Sequence, residues 1–173
     1  MKKLYVVGNK ASKSLSPTIF NYWFKKYNIK ASYGYLELTE KNFHRKIREV
    51  LEKKDTLGLN VTIPFKNKII KHLGKIDTHA KKIGAVNCVT NKKTINGTNT
   101  DWTGYYKTLP NIKKTKNRKV IILGYGGASH AIHYVLKKRG FKDILIFNRS
   151  KKKIKYSKNA EYTKKYSDLE THL

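Results

Sequence analysis

The sequence predicts an α/β protein in two successive parts, and three observations carry that prediction. Short apolar runs, LYVVG (4–8), ASYGYLEL (31–38) and TLGLNVTI (56–63), alternate with segments whose apolar residues recur at helical spacing. A later run, KVIILG, turns through glycines into an apolar helix and is followed by another run, KDILIFN. Between the two regions Gly104, Pro110 and the polar stretch NIKKTKNRK break the pattern, which places a change of domain near 102–118. A hydrophobic fraction of 39% over 173 residues supports a real core, and the length accommodates one full domain or one plus part of another.

Taken in order, LYVVG reads as a short buried strand. Ser16-Pro17 then supplies an N-cap and a proline in the first helical turn, and Ile19, Phe20, Trp23, Phe24 and Tyr27 fall on one face of a helix of about three turns. ASYGYLEL is extended, and Phe43, Ile47, Val50 and Leu51 repeat at helical spacing after it. TLGLNVTI is a third strand ending at Pro64, and Ile69, Ile70 and Leu73 lead to Gly74 as a helix with a glycine stop. AVNCVT (85–90) and KTINGTN (93–99) read as a hairpin joined at Asn91-Lys92. No internal repeat is visible.

The formal charge of +28 raises the question of a nucleic-acid partner. The cations are spread along the chain rather than clustered, and only five of 39 are arginine, leaving 34 lysines. Specific phosphate and base readers lean on arginine's planar fork, so solvated lysine faces are the preferred reading and no specific nucleic acid is expected. Filter binding across a salt series separates the two, because phosphate binding weakens steeply with salt. The single cysteine, Cys88, excludes an intrachain disulfide and a multi-cysteine metal site. The N-terminal MKKLYVVGNK does not resemble a signal peptide, and no apolar run approaches membrane-spanning length, so a cytoplasmic protein without membrane contact is expected.

In the second part, Gly124, Gly126 and Gly127 stand where an apolar strand becomes a helix. Glycine there lets the backbone approach a pyrophosphate, and the helix N-terminus offers N–H groups and a positive dipole to it. Ser129 replaces the third glycine or alanine of the usual fingerprint. The strand, turn, helix and next strand fit within about thirty residues, as a Rossmann unit requires. The second strand ends in Asn148-Arg149-Ser150-Lys151-Lys152-Lys153, without the carboxylate that binds a ribose 2′-hydroxyl. NADP is therefore favoured over NAD, although Lys151 to Lys153 also read as a solvated helix start.

In the first part, four polar clusters, SKSLSP (12–17), NVTIPFK (60–66), GAVNC (84–88) and GTNTD (97–101), each fall at the end of a predicted strand and can converge on one cleft. Ser14 and Ser16 at the mouth of a helix suit a carboxylate, while simple N-capping explains Ser16 equally well.

SLSP, NVTIPFK, GAVN, NTD, GYGGAS and NRS, in this order and roughly this spacing, resemble the shikimate dehydrogenase family over essentially the whole chain. The resemblance implies a substrate-binding and catalytic domain at 1–103, followed at 104–173 by the start of an NADP-binding Rossmann domain. It implies reversible NADPH-dependent reduction of 3-dehydroshikimate to shikimate, with homodimerisation left open. Lys66 and Asp101 would be the catalytic pair, and Ser14, Ser16, Asn60, Thr62 and Asn87 would hold the substrate. Gly124, Gly126, Gly127 and Ala128 would face the pyrophosphate, with Asn148, Arg149, Ser150 and Lys153 around the 2′-phosphate. No metal is implied. Cys88, Tyr125 and Tyr105 depart from the family's usual threonine, alanine and phenylalanine, and none touches the acid-base pair. A quinate-preferring relative, often using NAD, is the nearest alternative, and Arg149 argues against it. A second alternative is a truncated chain that binds ligand with little turnover. Family members continue for on the order of a hundred residues more, the size of a missing half-sheet with its helices. On that expectation the strand at 120–123 has one open edge. Purified 1–173 then oxidises NADPH near background and exchanges hydrogen faster across 118–173 than across 1–100.

Overall fold

β1 (Lys2–Gly8) is flanked on both sides, because Val6 and Val7 bury their side chains and every residue of the strand has a partner in β2 (Ala31–Glu37). On its other edge runs β3 (Thr56–Val61), also parallel. The computed structural model describes residues 1–109, 119–154 and 163–172 and divides into two units. One is Met1–Lys81 with Ala85–Asn99; the other is Lys82–Gly84 with the chain from Thr100 onward.

The first unit holds a mixed six-stranded sheet. Beyond β3 come β5 (Cys88–Asn91), β6 (Ile95–Thr98) and the short β4 (Lys75–Ile76), in the order β2-β1-β3-β5-β6-β4. β5 runs antiparallel to β3, with Asn60 opposite Cys88, and β6 is antiparallel to β5. β3 and β5 approach so closely at Gly58 that a Cβ there would lie 2.4 Å from the Val89 carbonyl oxygen, which only glycine avoids.

α1 (Ser16–Lys26) packs Phe20 and Phe24 on Val6, Ala11 and Tyr33. The rest of its predicted apolar stripe is not covered: Ile19, Trp23 and Tyr27 stay exposed. Ser16 is the first helical residue rather than the N-cap, which is Leu15; the Ser14 hydroxyl accepts the Ser16 N–H at 3.2 Å and takes over the capping work. α2 (Phe43–Leu51) buries Phe43, Ile47, Val50 and Leu51, the four residues its spacing picked out. Burying side chains of this kind stabilises by about 1.5–3 kcal/mol each. They join Val7, Leu59, Val61, Phe65, Ile69 and Val86 in the main core.

The segment after Pro64 forms only a 3₁₀ turn at Ile69–His72, not the longer helix expected, and Leu73 beyond it is extended. The hairpin strands are shorter than expected and their connection longer, since Asn91 pairs with Ile95 and leaves residues 92–94 to turn the chain. α3 (Thr78–Ile83) was not anticipated; Asp77 caps it by accepting the N–H groups of His79 and Ala80 at 2.7 and 3.0 Å.

In the second unit, α4 (Asp101–Thr108) occupies the start of the interval read as a polar break; residues 103 and 104 lie within it, and the run at 110–118 is outside the described residues. β7 (Val120–Leu123), α5 (Gly127–Lys138) and β8 (Ile144–Phe147) form the expected β-α-β unit, the two strands paired in parallel. Its core is Ile122, Tyr125, Leu136, Phe141, Ile146 and Ile154. Phe147 also pairs in parallel with Lys164, on the side of β8 away from β7. Among the described residues β7 is paired along one edge only. The Arg139 guanidinium lies 3.8 Å from the centre of the Tyr106 ring and donates to the Tyr106 carbonyl at 3.1 Å, fastening α5 to α4. No described helix is long and apolar enough to cross a membrane.

Candidate active site

Ser14, Ser16, Asn60, Thr62, Lys66 and Asn87, drawn from three separate stretches of sequence, line one cavity of about 500 Å³ in the first unit. Sheet direction explains the convergence. β1 and β3 are parallel, so the segments leaving them, Ser14–Ser16 and Thr62–Lys66, emerge at the same end of the sheet. GAVN precedes β5 rather than following a strand, contrary to expectation. Because β5 is antiparallel, its beginning nonetheless lies beside the end of β3.

Each side chain is held by its own backbone context. The Asn87 carbonyl accepts the Val61 N–H at 2.8 Å, and its N–H donates to the Thr98 carbonyl at 3.1 Å. The Asn99 amide, 3% exposed, donates to the Ala85 carbonyl at 2.9 Å and pins the same segment. Thr62 donates its N–H to the Val7 carbonyl at 2.8 Å. The Ile63-Pro64 peptide is cis.

Lys66 is anchored from both sides. Its carbonyl accepts the Val86 N–H at 2.7 Å, while the preceding Phe65, fully buried, stacks on Phe43 with ring centres 4.2 Å apart. The half-buried lysine therefore springs from a backbone fixed by core packing.

Lys10 and Lys13 also line the cavity, and Val6 and Phe20 supply apolar wall. Sequence reading did not single out these two lysines, which are indistinguishable by composition from the many others. They sit on a 3₁₀ turn, Ala11–Lys13 with its preceding residue, tied to β2 by Ser12, whose N–H donates to Glu37 at 3.0 Å and whose hydroxyl donates to the same carboxylate. Those bonds hold the Glu37 carboxyl below its ordinary range. A cavity with hydroxyls, amides and several ammonium groups suits a small polyhydroxylated carboxylate.

Asp101 opens α4 in the second unit, where the helix N-terminus favours its charge. The glycine-rich turn lies in the same unit. Gly124 has φ +95°, which strains any other residue, and its N–H donates to the Phe147 carbonyl at 2.8 Å. A Cβ on Gly126 would meet nothing within 4 Å, so open space lies above the backbone where a pyrophosphate would rest. Gly127 begins α5, and Ala128 is exposed beside it. Ser129, out of place in the fingerprint, turns its hydroxyl back to accept the Gly126 N–H at 3.4 Å. Tyr125 points its ring into the protein, 4% exposed and 4.4 Å from the His130 ring centre, so the departure from alanine is absorbed by the core.

Asn148 couples this turn to the end of β8. Its Oδ1 accepts the Tyr125 N–H at 3.1 Å, and its amide donates to the Ser150 carbonyl at 2.9 Å. Arg149, Ser150 and Lys153 are exposed next to it, available to an anionic group. These residues fit a phosphate-bearing dinucleotide. Among the described residues no group of three or more His, Cys, Asp or Glu could hold a metal ion.

Comparison with known proteins finds similarity to shikimate dehydrogenases. Residues 6–89 match the family described as "Shikimate dehydrogenase substrate binding domain". The shikimate dehydrogenase (NADP(+)) of Thermotoga maritima is 36% identical over 148 residues, which cover 86% of this chain and 55% of that protein. The crystal structure of shikimate dehydrogenase 1 from Peptoclostridium difficile superposes with a TM-score of 0.84 at 30% identity, covering 100% of this chain and 64% of that one. The enzyme from Thermus thermophilus, crystallised with NADP(H) and shikimate, gives a TM-score of 0.72 at 27% identity, covering 87% and 57%. The chain thus spans about half the length of the curated relatives it matches.

Proposed function

We propose that the chain, whose residues 6–89 match the shikimate dehydrogenase substrate-binding domain, carries the substrate pocket and part of the cofactor site of an NADP-dependent shikimate dehydrogenase. The reaction is reversible reduction of 3-dehydroshikimate to shikimate. What supports the reading above all is the convergence of Ser14, Ser16, Asn60, Thr62, Lys66 and Asn87 on one cavity.

NADPH, when bound, supplies the hydride. The protein's task is then to bind the ring substrate, orient its ketone and deliver a proton. Ser14, Ser16 and the nearby Lys10 and Lys13 take the carboxylate end; Asn60, Thr62 and Asn87 take hydroxyls. The Lys66 ammonium stabilises negative charge as it develops on the ketone oxygen and then supplies the proton. Asp101 is the second catalytic group. Gly124, Gly126, Gly127 and Ala128 receive the pyrophosphate at the start of α5, and Asn148, Arg149, Ser150 and Lys153 the 2′-phosphate. The protein acts in the cytoplasm.

Equilibrium titrations of the chain with shikimate and with NADPH test the reading. Saturable binding of both is expected; a folded chain that binds neither contradicts it. Arg149→Asp should weaken NADPH about tenfold or more and NADH far less, since it removes a phosphate partner and adds a like charge beside the 2′-phosphate. Equal losses for the two cofactors would remove Arg149 from the discriminating role.

A further inference from the structure

Tyr33 belongs to none of the motifs above, yet it joins two of the cavity's polar groups. It lies in the middle of β2, 3% exposed, and its hydroxyl donates to Asn60 Oδ1 at 2.6 Å. Its ring stacks face to face on Phe20, centroids 4.6 Å apart and planes 7° from parallel. Asn21 clamps its backbone on both sides, donating to the Tyr33 carbonyl and accepting the Tyr33 N–H, each at 2.8 Å. The Ser16 hydroxyl also interacts with the phenol, favouring its charged form against the larger effect of burial.

Proton directions in this network are dictated by chemistry. An amide oxygen only accepts, so the phenol spends its one proton on Asn60 and must accept from Ser16. Ser16, having given its proton to Tyr33, accepts from the Ser14 hydroxyl at 3.1 Å. Burial pushes the Tyr33 phenol up to about 12, which keeps it a donor at any physiological pH.

We propose that Tyr33 is a positioning residue: by occupying Asn60 Oδ1 it fixes the amide so that the NH₂ edge, with two donors, is the one left for a substrate oxygen in the cavity. The proposal rests on reading that cavity as the substrate pocket. Serine hydroxyls rotate at little cost, so Ser14 and Ser16 can redirect their protons to an incoming carboxylate. The amide cannot turn over without breaking the Tyr33 bond and setting its own oxygen against the substrate's. Specificity for an oxygen acceptor at this point of the ring is thereby built in before substrate arrives.

Tyr33→Phe tests this, because it keeps the ring, the stack on Phe20 and the Asn21 clamp. Calorimetric titration should show shikimate affinity roughly five- to tenfold weaker than wild type, the size of one net hydrogen bond. In an Asn60→Ala background the same change should cost nothing further, since a phenol without its amide partner has nothing to orient. In the wild-type chain, NMR should find the Tyr33 hydroxyl proton, held on Asn60 Oδ1, as a slowly exchanging resonance, a readout that stands even where the variant folds poorly. Equal affinity of wild type and Tyr33→Phe, an undiminished effect in the Asn60→Ala background, or a Tyr33 hydroxyl proton in fast exchange with water in the wild type overturns the role of Tyr33 alone. Failure of the wild-type chain to bind shikimate overturns the functional reading and, with it, the role built on that reading.

Discussion

Lys66→Ala is expected to lower kcat for reduction of 3-dehydroshikimate by about a hundredfold or more, with a much smaller change in KM. The asymmetry follows from when the lysine acts. In the ground state the ketone is neutral, and an ammonium beside it adds one ordinary hydrogen bond. On the proposed function, hydride arrival would make the oxygen an anion, which the same ammonium would meet as a full charge and then protonate. An interaction that strengthens along the reaction coordinate appears in kcat rather than in KM. The geometry supports this use of the side chain: Lys66 lines the cavity from a backbone held by the Val86 N–H and by Phe65 in the core. Steady-state kinetics against an active parent carrying Lys66 make the measurement. A fully active alanine variant would remove the lysine from the chemistry.

Phe65→Ala should destabilise the first unit by about 3–5 kcal/mol, the usual cost of emptying a fully buried phenylalanine site. The neighbours Phe43 and Ile69 are themselves fully buried and close-packed, so collapse into the vacated volume is restricted. Because Lys66 follows directly, the loss also reaches the cavity: whatever fraction remains folded loses one of the two anchors of Lys66. Urea unfolding reads the first effect through the transition midpoint at unchanged slope. Phe65→Leu, which retains most of the volume, should lose far less. A destabilisation below about 1 kcal/mol for Phe65→Ala would show that this stack does not support the site.

What the sequence made legible and what it hid divide along physical lines. The β7-α5-β8 unit was readable because its signals are local: an apolar run, glycines at the turn, an apolar helical face and a second apolar run. α2 was equally plain from the spacing of Phe43, Ile47, Val50 and Leu51. The direction of β5 was not readable, since parallel and antiparallel pairing leave the same alternation in a four-residue strand. GAVN, leading into that strand, reaches the cavity because β5 runs antiparallel to β3. α3 escaped notice because six residues barely exceed one turn, although the Asp77 cap was a usable signal. The stripe on α1 was visible, but how much of it another surface covers is a tertiary fact, and Trp23 remains exposed. Tyr33 could not have been found at all: its partner Asn60 lies 27 residues away, and only the pairing of β2 and β3 on either side of β1 brings them together.

The central claim, that this cavity receives shikimate, is tested most directly by titrating the isotopically labelled chain with shikimate and following its backbone and side-chain amide resonances. The account predicts saturable shifts at Ser14, Ser16, Asn60, Thr62 and Asn87, which reach the cavity from three separate stretches of sequence. Resonances of Thr108 and of the exposed Lys53 should stay in place. No shifts at saturating ligand, or shifts gathered elsewhere with these five unmoved, would contradict it.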